Sequence, residues 1–129
     1  MTYPISIKGV LLVEAKVVLV RNDRNEWELP GGRLEIGETP EQALVREFEE
    51  ELAIQVEPQG LIDSYLFEVI PSKHVVIVTY GCTLRGPFKP VVSAEHVEFG
   101  MHALADLERI PLPAGYARSI KSWSANAQP

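Results

Sequence analysis

The stretch VREFEEELAI, residues 45–54, sets Glu47, Glu49, Glu50 and Glu51 almost side by side, with only Phe48 among them. Like charges one turn apart on a helix repel by a few tenths of a kcal/mol per pair, so the crowding needs a reason. At about 100° per residue, Glu47, Glu50 and Glu51 fall on one stripe, as i, i+3 and i+4. That stripe lies beside a core stripe of Leu44, Phe48 and Leu52, with Val45 close by. Glu49 points elsewhere, toward solvent. Arg46 lies one turn before Glu50 and can pair with it. Two readings fit. A charge run is most often a solvated face. Alternatively, the carboxylates supply oxygen ligands to a hard dication such as Mg2+ or Mn2+, which turns their repulsion into attraction.

The residues before this stretch favour the second reading. PGGRLEIGE brings a glycine-rich loop and Glu38 up to the start of the acidic segment. Glycines let a backbone carbonyl or N–H approach a ligand closely. Glu38 also suits a helix N-terminus on electrostatic grounds alone. Neither feature is specific by itself, but their joint spacing with the glutamates is.

That spacing resembles the Nudix hydrolase family. The family pattern is met at Gly32, Glu38, Arg46, Glu47, Phe48, Glu50, Glu51 and Ile54, and departs at one position, where Ala53 replaces a glycine. WELPGG just upstream also looks like the family's approach to this box. The resemblance implies an α/β/α sandwich, a mixed sheet with flanking helices, extending over most of the chain. It also implies hydrolysis of a diphosphate bond in a nucleoside diphosphate linked to another moiety X, or in a nucleoside triphosphate. A water would attack phosphorus with the help of Mg2+ or Mn2+. By resemblance, Glu47, Glu50 and Glu51 ligate the metal, with a carbonyl near Gly31 as a further ligand. Glu38 would orient or neutralise Arg46, which holds the glutamate helix in place. The family often places its base in a later loop. SAEHVEFGMHAL offers Glu95 and Glu98 there, and Glu98 is favoured because it directly precedes the strand-like FGMHAL; a box glutamate is the other option. A lone loop histidine such as His96 is expected to be solvated. Ala53 sits where a left-handed helix end is common, so altered local geometry is expected there, with catalysis retained. The rival from another class is a catalytically silent domain that binds a nucleotide or a protein.

Substrate candidates are Arg21, Arg24 and Arg33 for phosphates and Trp27 for stacking on a base; Tyr65 and Phe67 share the aromatic role. Solvated arginines and a core tryptophan are the competing readings. Pro71 lies where the family's ADP-ribose pyrophosphatases tend to carry a proline, and also where a turn proline suffices.

The elements that must position these groups are legible from pattern. ISIKGVLLV and KVVLVRN are β-branched runs around EAK and read as a hairpin. NDRNE reads as a polar turn and WELP as a short extended piece. The GGRLEIGE segment reads as a loop. Thr39 as N-cap, Pro40 at the first helical position and Gln42 as capping-box partner predict a helix from Pro40 to Leu52. LIDSYLFEV and HVVIVTYGCTL read as strands around a Pro71–Ser72 turn. GPFKPVVSAEH reads as a loop and VEFGMHAL as a strand. ALADLERI reads as a short helix and YARSIKSWSA as a terminal one. Strands interleaved with scattered helices argue for an α/β (α+β) fold with a mixed sheet.

The chain has 129 residues, which predicts one domain over 1–129. Its net charge of −6 leaves no general basic field for a nucleic acid polymer. Cys82 is the lone cysteine, which suits a reducing compartment. Lys8 interrupts the apolar N-terminal run, so no signal peptide is read there, and no segment approaches the roughly 20 apolar residues of a membrane span. A cytoplasmic location is the expectation, and a homodimer would be in keeping with the resemblance.

Overall fold

The computed structural model describes residues 2–94, 96 and 98–127. The chain opens with the hairpin, β1 (Ile5–Val13) and β2 (Lys16–Arg21). Glu14 and Ala15 make its two-residue turn with left-handed φ values of 52° and 65°, the hand that matches strand twist. Next come β3 (Trp27–Glu28) and β4 (Gly31–Arg33). Helix α1 (Pro40–Leu52) follows, then β5 (Val56–Ile70) and β6 (Lys73–Leu84). The chain continues through β7 (Glu98–Ala103), a 3-10 segment (Leu104–Arg109) and α2 (Ala114–Ala127).

The strand order is β3-β2-β1-β6-β5, with β7 along β2 and β4 along β1. β1 and β6 run parallel, Ile5 opposite Val76 through Leu11 opposite Cys82. The other pairings are antiparallel. β2 meets β1 only at Leu12 and Val13, and β4 takes the earlier part of that edge, at Ser6 to Lys8. The expected Gly-Gly loop is therefore a strand in its first three residues. Glycine has little strand propensity of its own, so pairing with β1 decides the outcome.

A helix covers each face of the sheet, which makes the mixed-sheet α/β/α sandwich. On one face Leu44, Phe48 and Leu52 of α1 pack on Ile7, Leu11, Val18 and Val20. On the other, Tyr116 and Ile120 of α2 pack with Val10, Val17, Leu19 and Ile77. β1 is buried on both faces, so it reads as a nearly continuous apolar run. Gly9 lets the helix close in, because a Cβ there would strike Phe48 and Leu44.

Helix α1 starts as its sequence dictates. The Thr39 hydroxyl accepts from the Gln42 N–H at 3.1 Å, and the Gln42 side chain accepts from the Thr39 N–H at 3.0 Å. It ends at Ala53, which takes a left-handed φ of 55° and donates its N–H to the Glu49 carbonyl. The expected change of geometry at Ala53 is thus absent; the alanine adopts the conformation a glycine would favour. Val45 is also placed differently from expectation. It is 37% exposed, and Ala43 is the buried neighbour of Leu44. ALADLERI forms a 3-10 segment, and β5 begins earlier than its pattern suggested, at Val56, with register shifts at Pro58/Gly60 and Leu61/Asp63.

Candidate active site

The two glycines of β4 bring α1 against the sheet edge. A Cβ on Gly31, at φ 141°, would overlap the Ile7 carbonyl oxygen across the ladder. A Cβ on Gly32 would overlap the carboxylate of Glu47. The Gly31 N–H donates to Glu51 Oε1 at 3.3 Å. Glu47 and Glu51, one turn apart, therefore both rest on this Gly-Gly backbone. Glu51 is only 3% exposed. Burial raises its pKa to about 7 and the nearby Glu47 charge adds to that, against the pull of Lys8, His96 and the Gly31 N–H.

Arg46 is the hub of the outer part of the site. Its Nε and Nη2 donate to the two Glu38 oxygens at 2.5 and 2.9 Å. Nη2 also donates to the Arg33 carbonyl at 3.0 Å, and Nη1 to Glu50 Oε1 at 3.0 Å. Glu47 and Glu35 each lie 3.6 Å from the guanidinium. The Arg46 hydrogen bonds hold the Glu38 carboxyl below the usual carboxylate range, and Glu38 in turn raises the guanidinium pKa. Glu38 accepts from the Glu35 N–H as well, which closes the loop before the helix. Glu49 is exposed and lies outside this arrangement.

The donor set of Glu47, Glu50 and Glu51 is all oxygen, the chemistry that Mg2+ or Mn2+ prefers. Glu51 is a buried carboxylate that a cation would stabilise in its charged form. Among the described residues, however, no three acidic, histidine or cysteine side chains stand close enough to hold a metal ion. The Glu50 carboxylate is 55% exposed and pairs with Arg46 Nη1 at 3.0 Å.

A second network lies on the α2 side of β1 and was not foreseen. Glu28 Oε1 faces His96 Nε2 at 3.2 Å and Lys8 Nζ at 3.9 Å, while Oε2 accepts from Asn22 Nδ2 at 3.1 Å. Burial opposes the Glu28 charge, but His96, Lys8 and Asn22 outweigh it and hold the carboxyl down to about 2. The same hydrogen bond raises the His96 pKa. The His96 side chain is 9% exposed, so it is no solvated loop histidine. Burial works against the Lys8 ammonium, yet Tyr116, Glu28, Glu51 and Glu47 keep its pKa above the ordinary lysine value. The signal was present in the sequence: a lysine inside an apolar strand buried on both faces.

The remaining candidates are scattered. Glu98 opens β7, half exposed, and accepts from Arg21 Nε at 2.7 Å. Arg21 also donates to Asn25. Trp27 packs on the ring of His102, centroids 4.5 Å apart, beside the α2-side cluster. Arg24 pairs with Glu26, and Arg24 and Arg33 line one pocket with Lys8 and Phe67. Tyr65 and Phe67 pack at the margin of the α2-side cluster. Pro71 and Ser72 form the β5–β6 turn, Ser72 at φ 71°. Glu95 lies outside the described residues.

Comparison with known proteins agrees with this geometry. The family profile described as NUDIX domain matches residues 3–123. The chain is 47% identical over 51 residues to an 8-oxo-dGTP diphosphatase of Proteus vulgaris, a stretch covering 40% of this chain and 45% of that protein. It is 28% identical to an ADP-ribose pyrophosphatase of Methanocaldococcus jannaschii over 92% of this chain and 72% of that one. Among solved structures, a MutT NUDIX hydrolase from Burkholderia pseudomallei superposes with a TM-score of 0.83 at 25% identity, over 95% of this chain and 98% of that one. The chain spans only 40% to 54% of the length of the 8-oxo-dGTP diphosphatases and the MutT-like protein it matches first.

Proposed function

The chain belongs to the Nudix family, and from that premise we propose that it is a pyrophosphohydrolase. It cleaves a diphosphate bond in a nucleoside diphosphate linked to another moiety, or in a nucleoside triphosphate, by attack of water at phosphorus. The observation that carries this reading is the seating of Glu47 and Glu51 against the Gly31–Gly32 backbone, with Arg46 locking the same helix to Glu38. Mg2+ or Mn2+ would be held by Glu47, Glu50 and Glu51 with the Gly31 carbonyl, and would offset charge on the phosphate oxygens.

The residues of the chain do the positioning. Arg46, tied to Glu38 and to the Arg33 carbonyl, fixes how α1 presents its acidic stripe. Arg46 also pairs with Glu50 and lies 3.6 Å from Glu47, so its charge offsets the repulsion along the acidic stripe. Glu98 takes the proton of the attacking water in this proposal; its carboxylate is held at the start of β7 by Arg21 Nε at 2.7 Å. Arg33 serves the phosphates, and Arg21 and Trp27 border the nucleotide. The whole chain acts as one domain on a small nucleotide in the cytoplasm, where the lone Cys82, buried and pushed up to about 12 by burial, stays reduced and unreactive.

The test is turnover by the purified protein of nucleotide sugars, ADP-ribose, dinucleoside polyphosphates and nucleoside triphosphates, with Mg2+ or Mn2+. Hydrolysis that disappears in Glu50→Gln and Glu51→Gln is expected. Activity that survives both substitutions would sink the metal assignment. No turnover of any compound would turn the reading to a binding module. An unchanged pH–rate profile in Glu98→Gln would remove that residue as base.

A further inference from the structure

The connection from β6 to β7 is fastened to the candidate site by backbone and by side chain. Its backbone meets the last turn of α1, where helix carbonyls lack intrahelical partners. The Val91 N–H donates to the Leu52 carbonyl and the Ser93 N–H to the Glu51 carbonyl, each at 2.8 Å. Glu51 is thereby held at both ends, since its side chain accepts from the Gly31 N–H. The His96 N–H donates to the Ser93 carbonyl at 3.3 Å. The His96 side chain, nearly closed to solvent, reaches Glu28 Oε1 at 3.2 Å.

These contacts close a ring. It runs from Glu51 through Ser93 and His96 to Glu28, then along the chain from Glu28 to Gly31 and back to Glu51. Glu28 is a fixed post in that ring. Asn22 holds its second oxygen at 3.1 Å, and Lys8 lies 3.9 Å from the first. With its carboxyl held down to about 2, Glu28 only accepts hydrogen bonds, so His96 Nε2 carries a proton whether the imidazole is neutral or charged. An apolar side chain could fill the same space, but a charge-assisted hydrogen bond also sets a distance and a direction. Glu98 follows His96 by two residues and opens β7. Arg21 holds the Glu98 carboxylate, and His96 anchors the chain just ahead of it.

We propose that His96 is a positioning residue for diphosphate hydrolysis, its bond to Glu28 setting the place of Glu98 relative to the acidic stripe of α1. This rests on the hydrolase reading above, with Glu98 as base, and adds the group that keeps that base in register with the metal ligands. In this role His96 acts through the chain that it anchors and touches neither substrate nor metal. A shift of about 1 Å in that register is enough to cost a large factor in rate.

The experiment compares the wild type with His96→Leu, His96→Gln and His96→Asn. Leucine fills the space without a donor, the glutamine amide can reach Glu28 much as Nε2 does, and asparagine is too short to do so. Two quantities are read: kcat and KM with Mg2+, and hydrogen exchange of the Val91 and Ser93 amides by NMR without substrate. In His96→Leu, kcat should fall by about 10- to 100-fold with KM kept within about twofold. Exchange of the Ser93 amide should quicken by about 10-fold or more. His96→Gln should recover most of both. A KM that rises while kcat holds, a kcat loss that glutamine does not recover, or exchange unchanged in His96→Leu would each overturn the positioning role while leaving the hydrolase standing. Faster exchange that glutamine restores, in a protein that cleaves no diphosphate, would keep the anchor and overturn the reaction. Should His96→Leu not fold, His96→Asn carries the same comparison with His96→Gln.

Discussion

Two charged networks flank β4 and are built on opposite terms. The outer one, Arg46 with Glu38, Glu50 and the Arg33 carbonyl, joins residues close in sequence around a quarter-exposed guanidinium. The inner one, Glu28 with Lys8, His96 and Asn22, joins β1, β3 and a loop far along the chain, and its lysine and histidine are nearly closed to solvent. Ion pairs exposed to water contribute little to stability, whereas removing one member of a buried pair leaves an uncompensated charge. The outer network therefore aims side chains, and the inner network is part of what holds the sheet edge together.

The sharpest way to break the outer arrangement is to remove the space it uses. Gly32→Ala places a methyl where the Glu47 carboxylate lies, and a displacement of about 1 Å at a reacting centre can cost roughly 100-fold in rate. We expect a loss of kcat of that order with the circular dichroism spectrum preserved. Glu28→Gln breaks the inner network instead, and should cost about 3 kcal/mol of unfolding free energy in urea titrations. Glu38→Gln is its counterpart on the outer side. It should lower kcat while moving the melting temperature far less than Glu28→Gln does; equal shifts would erase the contrast.

Acidity separates the two networks further. Glu28 is held at about 2 against an ordinary 4.5, so its contribution is complete above pH 4.5 and fades as pH falls toward 2. His96 is raised above its ordinary 6.5, so its contribution is complete below 6.5 and is lost as pH climbs through the folded value. The pair stabilises most between pH 4.5 and 6.5. The stability difference between wild type and Glu28→Gln should be largest in that window and shrink on either side of it. The smallest effect is expected at the end of α1, outside both networks. Ala53 sits at φ 55°, a conformation that costs a residue with a Cβ roughly 1 kcal/mol. Ala53→Gly should raise stability by about that amount and leave kcat unchanged.

The contrast also explains what could be read in advance. Helix α1 was legible to the residue because its determinants are local: Thr39, Pro40, Gln42 and the spacing of Leu44, Phe48 and Leu52. The Arg46–Glu50 pair followed from helical spacing alone. β4 was not legible, since Gly31 and Gly32 become a strand only through Ile7 and Lys8 on a separate element. Glu28 and His96 lie 68 positions apart, and no periodicity in either segment points to the other. Lys8 was visible as an anomaly in an apolar run, but its meaning depended on Tyr116 and Glu28 arriving from elsewhere.

The parallel pairing of β1 with β6 has a temporal consequence. β1 precedes β6 in the chain, and its central neighbour, Val76 to Cys82, follows α1 and all of β5. Such distant pairings close late and slow folding. During synthesis the β1–β2 hairpin must wait, with one edge of β1 bare, until β6 has left the ribosome. A chain stalled before Lys73 would expose that edge to other chains, so the acidic helix would be complete before the sheet that gives it a purpose.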